Sequence, residues 1–175
     1  APVADDQSVT TSEDAAVNIT LTASDADNNP LSYSVVAQPT HGTLSGTAPN
    51  VTYTPAANYS GADSFTFKAN DGLADSNVAT VTIVVNAVND TPVANNQTVT
   101  TAEDTSVNIT LTASDVDGDA LTYEVVTPPQ HGTLQGGGSA LTYTPSPNFF
   151  GTDTFTFKAN DGQVDSNLAT VTIQV

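Results

Sequence analysis

The chain repeats itself at an interval of 90 residues without a gap, and this repeat limits what it can fold into. Pro2-Val3-Ala4 returns as Pro92-Val93-Ala94, and His41-Gly42-Thr43-Leu44 as His131-Gly132-Thr133-Leu134. Phe65 to Gly72 returns intact as Phe155 to Gly162, and 53 of 85 aligned positions are identical. Self-similarity at a fixed period means one structural unit used more than once. Each copy is long enough to bury a small core of its own. Between them lies the polar stretch Asn86-Ala87-Val88-Asn89-Asp90-Thr91-Pro92. The expected organisation is two domains, residues 1–88 and 89–175, with a linker around 86–92. Ala1 aligns with Thr91, inside the linker, and no Met occurs, so the chain reads as a piece of a longer array.

Within one copy, apolar and polar residues alternate in short runs separated by Gly, Pro, Asn and Asp, the pattern of half-buried strands. Val17, Ile19 and Leu21 alternate with Asn18, Thr20 and Thr22. Phe65, Phe67 and Ala69 follow the same phase, as do Ala79, Val81, Ile83 and Val85. Seven strands are expected, roughly 7–11, 16–22, 31–37, 42–45, 50–54, 64–70 and 77–86. The fold class is all-β: two tandem seven-stranded Greek-key β-sandwiches of the immunoglobulin type. Tyr33, Tyr53, Tyr59, Phe65 and Phe67 fall mostly at inward phases and serve as core filling. Phe149 and Phe150 are adjacent on a loop, so their rings point to opposite sides and one is partly exposed.

The charge is lopsided: 19 acidic residues against 2 Lys+Arg, a net −17. Such a surface excludes unspecific binding to nucleic acid or anionic membranes, which needs basic groups. Divalent cations are its natural counter-charge. There is no Cys, hence no disulfide and no thiol nucleophile. No stretch approaches the ~18 apolar residues of a membrane span, and no signal peptide is present.

If successive strands alternate in direction, seven strands bring the chain in at the top and out at the bottom, so the repeats stack end to end. Glu13, Asp63, Asn89 and Asp90 would then face Asp115, Asp117 and Asp161. Six carboxylates and an amide carbonyl would converge. Left bare, each like-charge pair at ~5 Å costs on the order of 3 kcal/mol at an effective dielectric near 20. Hard oxygen ligands in that number suit Ca²⁺, whereas softer metals would want His or Cys, and the only His are His41 and His131. An EF-hand loop starting at Asp115 fails. Gly118 stands at loop position 4, and position 12 is Val126. The plainer reading of Asp-x-Asp-Gly-Asp is a solvated turn.

Asp115-Val116-Asp117-Gly118-Asp119, the later Ala159-Asn160-Asp161-Gly162 and the linker Val88-Asn89-Asp90-Thr91-Pro92 resemble the cadherin repeat. More closely, they resemble the bacterial cadherin-like tandem repeats of long secreted or surface adhesins. The resemblance covers both copies over nearly their whole length. It implies calcium bound between successive domains, with Asn89, Asp115, Asp117 and Asp161 in one site and Glu13, Asp63, Asp90 and Asp117 in its neighbour. Two departures stand out. The family's Asp-Arg-Glu motif before strand six is missing, with only Asp63 near that place, and the first linker Asp is absent. Fewer or weaker ions than in a full three-ion junction are therefore expected. Asp25, Asp27 and Asp71 lack an upstream partner, and Glu103 and Asp153 a downstream one.

His41 and His131 read as turn or strand-end residues. A hydrolase needs a nucleophile, base and orienting acid in reach, and no such set stands out, so the chain is not expected to be an enzyme. The functional expectation is a calcium-rigidified extender or adhesion module of a repetitive secreted or cell-surface protein, extracellular, with neighbouring repeats as its first partners. The alternative is a polysaccharide-binding module of an extracellular protein, for which Phe150 is the only platform candidate. Surface or matrix polysaccharide, or another adhesin, would be the external partner.

Overall fold

The structure, a computed structural model, describes all residues, Ala1–Val175. The first compact unit is Ala1–Val88 and the second Asn89–Val175. The first unit holds β1 (Val3–Ala4), β2 (Gln7–Ser12), β3 (Val17–Thr20), β4 (Ala23–Ser24), β5 (Ser32–Ala37), β6 (Gly42–Thr47), β7 (Asn50–Pro55), β8 (Gly61–Asn70) and β9 (Ala79–Asn86). The second holds β10 (Val93–Ala94), β11 (Gln97–Thr100), β12 (Val107–Thr110), β13 (Ala113–Ser114), β14 (Thr122–Thr127), β15 (Gly132–Gly137), β16 (Ala140–Pro145), β17 (Thr152–Asn160) and β18 (Ala169–Gln174). The protein is all-β, with no helix, and no helix long and apolar enough to cross a membrane is present.

Each unit is a two-sheet sandwich. In the first, a four-stranded sheet of order β2-β9-β8-β5 faces a three-stranded sheet of order β3-β7-β6. In the second, β11-β18-β17-β14 faces β12-β16-β15. β2 pairs with β9 in parallel, Val9 opposite Ile83, and β11 pairs likewise with β18. This is what seven alternating strands demand: first and last run the same way, so the chain enters each unit at one end and leaves at the other. A bulge between Val35 and Ala37 shifts the β5–β8 register, and its counterpart lies between Val125 and Thr127.

The alternating residues build the core. Ile19, Tyr53, Phe65, Phe67, Val81 and Ile83 are almost wholly buried in the first unit, and Ile109, Tyr143, Phe155, Phe157, Val171 and Ile173 in the second. At about 25 cal/mol per Å² of apolar surface removed from water, these rings and branched chains dominate the stability of each sandwich. Tyr33 and Tyr59 are half-buried and pack on the rim of that core.

The expected strand over 16–22 divides in two. After β3, Leu21 N–H donates to Pro49 O, and the chain then turns to pair β4 with β1, Ala23 opposite Ala4. β1 is too short to show as an alternating run. It is held on its other side by Asn77, whose Oδ1 accepts from Ala4 N–H and whose Nδ2 donates to Ala4 O, both at 3.0 Å. Asn167 clamps Ala94 in the same way.

Candidate metal centre

The loop between β13 and β14 carries Asp115, Asp117 and Asp119. Gly118 adopts a left-handed conformation (φ 77°), and Asp119 N–H donates to Asp115 Oδ1 at 3.2 Å, which folds the loop back on the first carboxylate. One carboxylate oxygen from each of Asp115, Asp117 and Asp119 lies within 4.8 Å of the others. Asp115 Oδ2 is buried and has no hydrogen-bond donor. A buried anionic oxygen without a donor is costly, and cations relieve that cost.

Asp161 follows β17. Its Oδ1 accepts from Gln163 N–H and Val164 N–H, both at 2.7 Å, while Oδ2 accepts from Asn89 Nδ2 at 2.8 Å. The Asn89 bond, followed by the backbone donors, holds the Asp161 carboxyl below the usual carboxylate range. Asp90 N–H donates to Asp117 Oδ2 at 2.7 Å. Hydrogen bonds thus join Asn89, Asp90, Asp117 and Asp161, and the proximity of the Asp115, Asp117 and Asp119 carboxylates brings Asp115 and Asp119 into the same group within the second unit. All of their side-chain acceptor atoms are oxygen, the hard donor type that Ca²⁺ takes in sixes to eights.

The first unit has a related loop at the equivalent place, with Asn29 where the second unit has Asp119. Asp25 Oδ1 accepts from Asp27 N–H at 3.0 Å and Asn29 N–H at 3.3 Å, with Asn28 left-handed (φ 56°) where the second unit has Gly118. The Asp25 side chain is only 2% exposed, and its Oδ2 also lacks a hydrogen-bond donor. The Ala1 amino nitrogen lies 3.8 Å from that oxygen and 3.4 Å from Asp71 Oδ2. Both carboxylates thus lie near Ala1, so the fold brings the loop Asp and the Asp after the long strand close together. Backbone donors from Ala74 and Leu73 hold the Asp71 carboxyl below its ordinary range.

Glu13 and Asp63 belong to the first unit. Glu13 is buried; its N–H donates to Asn86 O at 2.9 Å, and its Oε1 accepts from Val88 N–H at 2.5 Å. It ties the end of β9 and the residues after it to the turn that follows β2. The expectation that Asp63 serves as a metal ligand meets a different arrangement. Asp63 Oδ1 accepts from Thr40 N–H, Thr40 Oγ1 and Ser64 N–H, and Oδ2 from His41 N–H and Tyr53 Oη, at 2.8–3.2 Å. Five donors occupy the lone pairs an ion would need. Burial pushes the Asp63 carboxyl up, but these donors outweigh it and hold the group below its ordinary value. Asp153 repeats the arrangement with Gln130, His131, Tyr143 and Thr154.

Asp119 of the second-unit group, and Gln163 beside it, stood outside the expected ligand set. Asp119 could have been found from the alternating Asp115, Asp117, Asp119 spacing. Gln163, whose Nε2 donates to Asn89 Oδ1 at 2.5 Å, left only one trace in the sequence, a mismatch with Leu73 in the other repeat. His41 stacks on Tyr59 (4.2 Å, 4°) and His131 on Phe149 (4.4 Å, 9°), so both histidines cover rings of the loops that precede β8 and β17. Phe150 is 79% exposed.

Among solved structures, the chain is similar to repeats EC1-2 of human mucin-like protocadherin, with a TM-score of 0.61 at 18% identity over 100% of this chain and 98% of that one. Mouse cadherin-23 EC22-24 gives 0.57 at 18% identity, over 99% of this chain and 66% of that one. At such identities the likeness shows the fold. Among curated proteins, integrin beta-like protein B of Dictyostelium discoideum is 40% identical over 65 residues, 37% of this chain and 3% of that protein. Integrin beta-like protein A of the same organism is 33% identical over 112 residues, 54% of this chain and 6% of that protein. The chain thus spans only a small fraction of the curated relatives it matches. The model of the bacterial Ig domain matches residues 1–84 and again 89–174, so the chain belongs to the bacterial Ig domain family and carries two tandem copies of it.

Proposed function

We propose that the two repeats are an extender or adhesion module of a repetitive extracellular protein, and that Ca²⁺ stiffens the segment joining one repeat to the next. The observation that carries this reading is the Asp90–Asp117 and Asn89–Asp161 pairing, which anchors the residues just after Val88 on an acidic cluster. A buried carboxylate oxygen without a donor, Asp115 Oδ2, supports a cation there. Asp115, Asp117, Asp119, Asp161 and the Asn89 amide oxygen would hold the ion. The carboxylates would neutralise it, and the Asn89–Asp90 segment would lose its freedom on the second repeat. Glu13 supports the same role from the other side by fixing Val88 on the first. The partners would be neighbouring repeats of the parent chain.

At extracellular-type affinities of about 10⁻⁴–10⁻³ M, millimolar Ca²⁺ adds roughly 0.5–1.5 kcal/mol per site. For a domain of this size that is a rise in unfolding temperature of roughly 2–10 °C. The test is thermal unfolding in several millimolar Ca²⁺, in chelator and in Mg²⁺. A Ca²⁺-selective rise that Asp117→Ala abolishes supports the reading. Identical transitions in all three sink it.

One observation favours a second reading, polysaccharide binding. Phe150 is exposed beside the Phe149–His131 stack, whereas the first repeat has Ser60 at its place. An exposed ring of this kind can stack on a sugar face. Retention on a glycan affinity gel that Phe150→Ala removes would support that reading, and no retention of the unaltered protein would end it.

A further inference from the structure

Asn89 is held by its amide on both sides. Nδ2 donates to Asp161 Oδ2 at 2.8 Å and to Asp90 O at 3.0 Å, and Oδ1 accepts from Gln163 Nε2 at 2.5 Å. The orientation of both amides follows from chemistry. An ionised carboxylate only accepts, so the Asn89 atom facing Asp161 must be the nitrogen. The atom facing Gln163 is then the carbonyl oxygen, and Gln163 must present its nitrogen to it. The Gln163 backbone is fixed in turn, since its N–H donates to Asp161 Oδ1. Gln163 therefore grips the one neutral side-chain oxygen that the cluster offers to a cation. At the equivalent position the first repeat has Leu73, which is 91% exposed and whose side chain has no polar atom.

We propose that Gln163 is a latch that competes with Ca²⁺ for Asn89 Oδ1 and so sets the affinity of the site. It also keeps the segment after Val88 on the second repeat when calcium is scarce. The inference rests on the calcium reading above. An ion that takes Asn89 Oδ1 must first break the Gln163 bond, so binding loses what that bond contributes. A side-chain hydrogen bond of this type corresponds to about a two- to tenfold difference in affinity.

The test uses the whole two-repeat chain with Gln163→Leu, the residue of the first repeat, and Gln163→Ala as a second variant. Ca²⁺ binding is measured by titration calorimetry, and amide hydrogen exchange of residues 89 and 90 is measured in chelator. Both variants are expected to bind Ca²⁺ about two- to tenfold more tightly than the unaltered protein. Their exchange at residues 89 and 90 in chelator should be faster by a similar factor. Equal or weaker Ca²⁺ affinity in both variants, with binding by the unaltered protein intact, overturns the latch and leaves the calcium reading standing. Absence of Ca²⁺ binding by all three proteins overturns both. Unchanged exchange in chelator overturns the holding role of Gln163 whatever the calcium result.

Discussion

Tyr53 Oη donates a buried hydrogen bond of 2.8 Å to Asp63 Oδ2, and Tyr143 repeats it to Asp153 at 2.9 Å. The pair closes one end of each sandwich. Burial, and then the neighbouring carboxylate, pushes each phenol above its ordinary range and keeps it a donor. Removing the carboxylate's charge leaves backbone donors at Thr40 and His41 facing an amide that cannot accept from all of them. Asp63→Asn should lower the stability of the first repeat by about 2–4 kcal/mol, and Tyr53→Phe by about 1–2 kcal/mol. Urea unfolding of each variant checks both values.

The same carboxylates govern the response to acid. Their folded-state ionisation lies below the ordinary Asp value of about 3.9. Their contribution is therefore complete above that value and is lost as pH falls through the lower, folded-state one. Stability measured from pH 6 to pH 2 should fall at the acid end. In a chain carrying both Asp63→Asn and Asp153→Asn the acid loss should be smaller.

Gly42 lies against the ring of Tyr53. A Cβ there would stand 2.5 Å from Tyr53 Cε2 and 2.6 Å from the Thr54 carbonyl oxygen, and at Gly132 the ring carbon would be 2.3 Å away. Neither a core ring nor a strand carbonyl can retreat far. Gly42→Ala and Gly132→Ala should each cost about 1–3 kcal/mol. Denaturant midpoints would show this, and a change in the near-ultraviolet tyrosine dichroism would place the disturbance at the ring.

At Gly118 the space is open but the backbone is left-handed. Sterics of the neighbourhood do not matter there; the residue's own conformation does. Gly118→Ala should cost about 1 kcal/mol, whereas Gly118→Asn should be nearly neutral, because Asn28 already holds that conformation in the first repeat. Thermal scans in chelator distinguish the two.

Asn77 and Asn167 each replace a missing strand by bonding both backbone groups of Ala4 and Ala94. Asn77→Ala should free β1 at a cost of about 1–2 kcal/mol. Faster amide exchange at Ala4, with the other strands unaffected, is the expected signature.

The sandwich was legible because its signal is local. Alternation of Phe65, Thr66, Phe67 and Lys68 marks a strand with one buried face whatever else the chain does. The end at which each loop emerges followed from strand parity, and the parallel β2–β9 pairing agrees with it. The role of a carboxylate was not legible, because it depends on donors far away in the sequence. Asp63 and Asp115 look alike as letters. One receives five hydrogen bonds from residues 40, 41, 53 and 64, while the other keeps a buried oxygen without a donor. Gln163 lies 74 positions from the amide it grips. The amino-acid sequence by itself determined the repeat, the β period and the acidic composition. Only the tertiary structure decided which carboxylates are already satisfied by protein donors and which keep a buried oxygen without a donor, because hydrogen-bond satisfaction is a property of what the fold brings together.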